Sequence, residues 1–143
     1  MVIRGGCHCG NISFTLDWTP EPAEIPARVC TCSFCTKHGG VWTSNPKGAL
    51  TVTVRDRNAV SIYAFGTKTA DFHVCARCGI VPVVTSEIDG RVYAVVSVNA
   101  FEGIDPSRLK RSPANFDGEG TDSRLERRKR NWIPEVRIGA SAL

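Results

Sequence analysis

The sequence predicts an all-β fold, mainly antiparallel, with short helical segments near the C-terminus. Three observations predict it. Apolar and polar residues alternate in several short runs, turn dipeptides separate some of these runs, and helix signals are confined to the end of the chain.

The elements follow in order. Ile12, Phe14 and Leu16 alternate with Asn11, Ser13 and Thr15, the pattern of a strand with one buried face. Pro20, Pro22 and Pro26 make residues 17–27 a loop. Thr51-Val52-Thr53-Val54 repeats the alternation, and residues 60–65 form a third run rich in strand formers. Residues 72–74, 80–85 and 91–98 complete the set, with Asp89-Gly90 as a hairpin turn between the last two. Asp105-Pro106-Ser107 can start a single helical turn, and residues 112–121 read as a loop. Ser123-x-x-Glu126 fits a capping box that opens a helix, which Pro134 would stop.

At 143 residues, 42% of them apolar, the chain is expected to form a single domain over residues 1–143, large enough to bury a core without disulfides. No compositional extreme points to a collagenous, coiled-coil or disordered chain. The longest apolar stretches, near residues 80–84 and 93–96, are too short to cross a bilayer, so no membrane partner is expected. Met1-Val2-Ile3-Arg4-Gly5-Gly6 lacks the apolar region of a secretory signal, and a cytoplasmic location is expected.

The net charge of +4 is local. Residues 124–130, Arg-Leu-Glu-Arg-Arg-Lys-Arg, carry all of the excess, and the remainder is neutral. Such a run is either a solvated helix face or a site for an anionic partner. It lacks interleaved aromatics that would stack on bases, apart from Trp132 just beyond it, so a nucleic-acid partner is not expected.

The cysteines carry the chemistry. All seven fall into three tight groups: Cys7 and Cys9; Cys30, Cys32 and Cys35; Cys75 and Cys78. Scattered core thiols would not cluster in this way, whereas metal ligands would. Cys7-His8-Cys9-Gly10 and Cys75-Ala76-Arg77-Cys78-Gly79 are two knuckles far apart in sequence, suited to one closed tetrahedral zinc. A redox Cys-x-x-Cys normally sits in a βαβ context, which a β sheet disfavours. Zinc fits paired knuckles of this spacing better than an iron–sulfur cluster. The middle group then offers three thiolates and an exchangeable position, the arrangement of a catalytic zinc. A fourth protein ligand could also close that site, with His38 the obvious candidate and His73 and His8 behind it. Spacing alone does not decide which cysteines share an ion, nor does it exclude one occupied site beside three free thiols.

These residues resemble motifs of the glutathione-dependent formaldehyde-activating (GFA) family, which includes the centromere protein V group. Gly6-Cys7-His8-Cys9-Gly10-Asn11-Ile12-Ser13-Phe14 resembles its first motif. Cys30-Thr31-Cys32-Ser33-Phe34-Cys35 resembles its central one, followed by Lys37 and Gly39-Gly40. Phe72-His73-Val74-Cys75-Ala76-Arg77-Cys78-Gly79 resembles its third, Val98-Asn99 a later one, and Asp117-Gly118 a frequent Asp-Gly. The position after Cys35, often basic in the family, is Thr36 here. The likeness covers about residues 3–120 and leaves a basic C-terminal extension, residues 121–143, outside it. It implies a zinc-stabilised β fold with two zinc ions per chain: a structural one on Cys7, Cys9, Cys75 and Cys78, and a catalytic one on Cys30, Cys32 and Cys35. It further implies a carbon–sulfur lyase that joins glutathione, or another small thiol, to an aldehyde such as formaldehyde. His8, His38 and His73 are the candidate general bases. Two other functions compete with this one. A zinc-stabilised, non-enzymatic binding module would use residues 124–130 for an anionic partner, and Cys30, Cys32 and Cys35 could instead serve thiol redox chemistry or metal handling.

Overall fold

Alternation in sequence becomes alternation of burial. The computed structural model describes residues 1–140. In β2 (Ile12–Asp17), Ile12, Phe14 and Leu16 turn inward while Thr15 and Asp17 face solvent. The antiparallel partner of β2 is a later strand, Ala49–Val54, which sets Leu50 opposite Leu16 and Val52 opposite Phe14. These two strands lie in a five-stranded sheet with β1 (Val2–Gly6) on one side. A seven-stranded sheet is built around a long hairpin, residues 83–97, turned by Asp89-Gly90 as the dipeptide predicts.

In chain order the remaining elements are β3 (Ile25–Cys30), α1 (Ser33–His38), β4 (Val41–Thr43), β5 (Ala49–Val54), β6 (Val60–Tyr63), β7 (Asp71–Cys75), β8 (Val83–Ile88), β9 (Arg91–Ser97), β10 (Phe101–Glu102), β11 (Leu109–Ala114), α2 (Thr121–Asn131) and β12 (Glu135–Ala140). The first sheet has the order β10-β1-β2-β5-β12 and the second β11-β3-β4-β9-β8-β7-β6. Pairing is antiparallel except at two edges, where β12 runs parallel to β5 and β11 parallel to β3. The all-β, mainly antiparallel expectation therefore holds.

Ile3, Phe14, Leu16 and Leu50 of the first sheet share one buried cluster with Ile25, Val83, Ala94 and Val96 of the second. The sheets pack face to face, and each fully buried Ile or Leu contributes about 1.5–3 kcal/mol. The central strands β8 and β9 are apolar on both faces. Their other face sends Val84 and Val95 into a second cluster with Cys35, Trp42 and Trp132. Cys30, Cys32 and Phe72 pack against that second cluster.

Four local expectations are corrected. Helix is not confined to the end of the chain, because α1 follows β3. That helix is too short to show a 3.6-residue period, and a cysteine, not Ser, Thr, Asn or Asp, caps it. The Pro-rich loop gives way to strand at Ile25, and the 112–121 loop begins only after Ala114. Pro113 is tolerated because β11 is an edge strand. α2 opens at Thr121 with Gly120 as its cap, so Ser123 and Glu126 lie inside the helix and form no capping box. The single turn after Asp105 is present at Pro106–Arg108, with the Asp105 carboxylate accepting from the Ser107 amide. The basic extension is woven into the fold through α2 and β12, and its last three residues lie outside the described residues. Among the described residues, no helix is long and apolar enough to cross a membrane.

Candidate functional site

Cys7 and Cys9 occupy the turn between β1 and β2, and Cys75 and Cys78 the turn that leaves β7. Folding brings the two knuckles together. The four sulfurs lie within 4.8 Å of one another, with Cys7 Sγ to Cys9 Sγ at 3.8 Å and Cys9 Sγ to Cys75 Sγ at 3.5 Å. Tetrahedral zinc with bonds of about 2.3 Å separates its sulfurs by about 3.8 Å, so this donor set fits the ion. Gly79, at φ +79°, completes the second knuckle, with its amide on the Cys75 carbonyl at 2.7 Å. The Ile12 amide donates to Cys7 Sγ at 3.2 Å. Burial pushes the Cys7 thiol up to about 11. Burial also works against the Cys78 thiolate, but the amides of Cys9 and Ile80 and the Cys75 and Cys7 thiols outweigh it, and Cys78 falls to about 6. The group joins a hairpin of one sheet to a strand of the other, so a metal held there staples the two layers.

The middle group forms where β3 ends. Cys30 is the last residue of β3, Cys32 caps α1, and Cys35 sits inside that helix. The Cys35 amide donates to Cys32 Sγ at 3.3 Å, and the buried Trp42 indole N–H donates to Cys35 Sγ at 3.4 Å. The three sulfurs lie within 4.8 Å of one another and form a group of their own. The neighbouring Cys35 thiol favours the Cys30 thiolate and lowers Cys30 to about 5, while Cys30 together with burial pushes Cys35 up. Each of the two groups can hold a metal ion.

His38 does not join the middle group; its ring stacks on Phe34 at 5.3 Å. His73 Nε2 lies 2.7 Å from Thr85 Oγ1, and burial lowers its pKa. His8 is exposed in the first knuckle. Cys30 and Cys32 line a cavity of about 460 Å³, within the range of small-molecule sites, and none of the three histidines does. The cavity's apolar wall is the outer face of the second sheet: Trp42, Phe72, Val84 and Val95.

Another wall comes from the basic C-terminal segment and the loop before it. Phe116, Asp117 and Glu119 line the cavity, with Arg124, Arg127 and Arg128 of α2, and Arg28 of β3 joins them. Most bases of the run are engaged within the molecule. Arg127 binds both Glu119 oxygens at 3.1–3.2 Å and lies 3.6 Å over the Phe116 ring. Arg124 donates to the carbonyls of Phe116 and Glu119, and Lys129 pairs with Asp89 at 2.6 Å and with Glu126 at 3.1 Å. Arg128 is buried, and Arg130 is exposed. Arginines four residues apart, 124 and 128, were the available signal for a face turned toward one feature.

The two-sheet fold, a four-sulfur group between the layers and a three-sulfur group on a cavity wall define a class of β protein built around cysteine groups that can hold metal ions. Within that class the chain belongs to the family of glutathione-dependent formaldehyde-activating enzymes, whose profile matches residues 2–115. A Halomonas elongata protein that carries the provisional name of glutathione-dependent formaldehyde-activating enzyme is 34% identical over 85 residues. That alignment takes in 54% of this chain and 52% of the relative, so the chain spans about half the length of the curated relative it matches. A structural-genomics crystal structure of a Rhodobacter sphaeroides protein is 29% identical, with a TM-score of 0.55, covering 77% of this chain and 97% of that one.

Proposed function

We propose that this protein is a zinc-dependent carbon–sulfur lyase of the glutathione-dependent formaldehyde-activating type. Its substrates are glutathione or another small thiol and an aldehyde such as formaldehyde. A structural zinc on Cys7, Cys9, Cys75 and Cys78 and a second zinc on Cys30, Cys32 and Cys35 complete the assignment. The observation that carries it is a three-sulfur group, with no fourth protein ligand beside it among the described residues, on the wall of a cavity in a chain of this family.

Zinc held by the three sulfurs would supply the Lewis acidity that keeps a substrate thiol deprotonated at neutral pH. The chain's own residues do the rest. Trp42 holds Cys35 through its N–H···S bond, which orients one sulfur. Trp42, Phe72, Val84 and Val95 give the cavity a dry wall, where a thiolate and a carbonyl meet without a full hydration shell. The reaction is an addition. The thiol sulfur bonds to the carbonyl carbon, the C=O π bond breaks, and the thiol's proton ends on the oxygen of the S-hydroxymethyl product. The three histidines lie off the cavity, which argues against an imidazole base. Reduced thiols throughout suit a cytoplasmic site of action.

The competing module reading has little support in the engaged bases of α2, which leave mainly Arg130 to meet a partner. The test is exchange NMR with 13C-formaldehyde and glutathione, alongside metal counting on natively purified protein. The expected result is faster exchange into the S-hydroxymethyl adduct and two zincs per chain, one resistant to a mild chelator. No acceleration over buffer, or one resistant zinc alone, would refute the proposal.

A further inference from the structure

Arg128 is 6% exposed, yet no described carboxylate pairs with it. Its Nη1 donates to the Thr69 carbonyl at 3.2 Å, to Thr69 Oγ1 at 2.8 Å and to Ser86 Oγ at 3.1 Å, all neutral acceptors. Its Nε is buried without a hydrogen-bond partner, and its Cζ lies 4.9 Å from the centroid of the Trp132 ring, a contact that brings no counter-charge. Buried guanidiniums are ordinarily paired, because an unpaired buried charge costs several kcal/mol. Arg28, which lines the same cavity, donates from Nη2 to Ser44 Oγ at 2.9 Å and likewise has no described carboxylate. Of the two carboxylates lining the cavity, Glu119 is committed to Arg127 and Asp117 is exposed. Four guanidiniums thus face two carboxylates around a space that also holds Cys30 and Cys32.

The imbalance calls for an anion from outside the chain. We infer that Arg128 and Arg28 form a carboxylate subsite in this cavity, so that the chain selects thiols bearing a carboxylate over neutral thiols of the same size. This rests on the thiol reading of the cysteine group and adds the residues that decide which thiol is taken. Burial lowers both arginine pKa values, Arg128 to about 10, with Arg127 adding repulsion in each case; a bound anion relieves that repulsion. Arg128 comes from α2, beyond the 2–115 stretch that matches the family profile, so this half of the subsite belongs to the chain's own C-terminal segment.

The test is calorimetric titration of the zinc-loaded full chain with 3-mercaptopropionate, 3-mercaptopropionamide and the sulfur-free butyrate. Wild type is expected to bind the acid about tenfold or more tightly than the amide, the scale of one charge-assisted contact. R128Q and, separately, R28Q should shrink that preference to about threefold or less and leave amide affinity unchanged. Arg28 is partly exposed, so R28Q carries the decision if R128Q does not fold. Equal wild-type affinity for acid and amide, or a preference that survives in the variants, would overturn the subsite. So would an equal loss for both ligands, which would make the arginines counter-charges to the cysteine group. Butyrate binding as tightly as the mercapto acid would instead overturn the thiol reading and leave the anion subsite standing.

Discussion

Gly40→Ala tests the packing beneath the three-sulfur group. A methyl at this position would lie 2.8 Å from Trp42 Nε1, 2.9 Å from Cys35 Sγ and 3.0 Å from Cys35 Cβ. Ordinary contacts are about 3.5–4.0 Å, so the indole and the cysteine must each retreat by about 0.5–1 Å. Neither is free to do so, since both are buried and Trp42 packs edge-on against Phe72 at 6.0 Å. Overpacking costs about 1–3 kcal/mol, and loss of the N–H···S bond about 0.5–1.5 kcal/mol. The backbone at Gly40 is not left-handed, so alanine adds no strain and recovers about 0.4–1 kcal/mol from a stiffer unfolded chain. The net expectation is destabilisation of about 2 kcal/mol. Urea unfolding at saturating zinc reads the stability, and competition with a chromophoric chelator reads each metal site. The three-sulfur site should lose about tenfold in affinity, as for other disturbed outer-sphere partners, and the four-sulfur site none. A variant within about 0.5 kcal/mol of wild type, with both affinities intact, would refute the reasoning.

The two cysteine groups should separate in mutation. Cys75→Ser removes a ligand from the group that staples the sheets, where a structural zinc is worth about 10 kcal/mol or more, so circular dichroism should show an unfolded chain. Cys32→Ser should keep the fold and lose one zinc by metal analysis; unfolding would assign that group a structural role. Glu119→Gln removes the carboxylate that three Arg127 hydrogen bonds hold and should cost about 1–2 kcal/mol at pH 6. Those bonds hold the Glu119 carboxyl below its ordinary 4.5, so its contribution is complete above about pH 4.5 and fades as pH falls through the lowered value. The stability gap between wild type and Glu119→Gln should therefore narrow below pH 4.5. Salt-dependent binding to DNA or acidic polymers should be absent at low salt; binding lost on joint replacement of Arg127, Arg128 and Arg130 would favour the module.

What could be read in advance was what neighbouring residues decide. Ile12, Phe14 and Leu16 state a strand and its buried face locally, and Asp89-Gly90 states its turn. β12 and β11 gave no such signal, because they are exposed edge strands whose parallel partners lie some eighty residues away. α1 escaped notice because six residues carry no period, and a cysteine rather than Ser, Thr, Asn or Asp occupies its cap. Arg128 looked like any base in a charged run. Its burial depends on Thr69 and Ser86, which nothing in residues 124–130 announces.

The sequence by itself determined the β class, the family and the three cysteine groups, since hydrophobic period, turn chemistry and ligand spacing are all short-range properties. Tertiary structure decided which groups meet: Cys7 and Cys9 with Cys75 and Cys78 across two sheets, and Cys30, Cys32 and Cys35 apart from them. It also decided that the basic run, which sequence left as either a solvated face or a site for an anionic partner, forms one wall of the cavity beside the second group. The physical reason is the same in each case. A ligand set or a charged wall is a statement about distance in space, and only the register of strands far apart in the chain sets those distances.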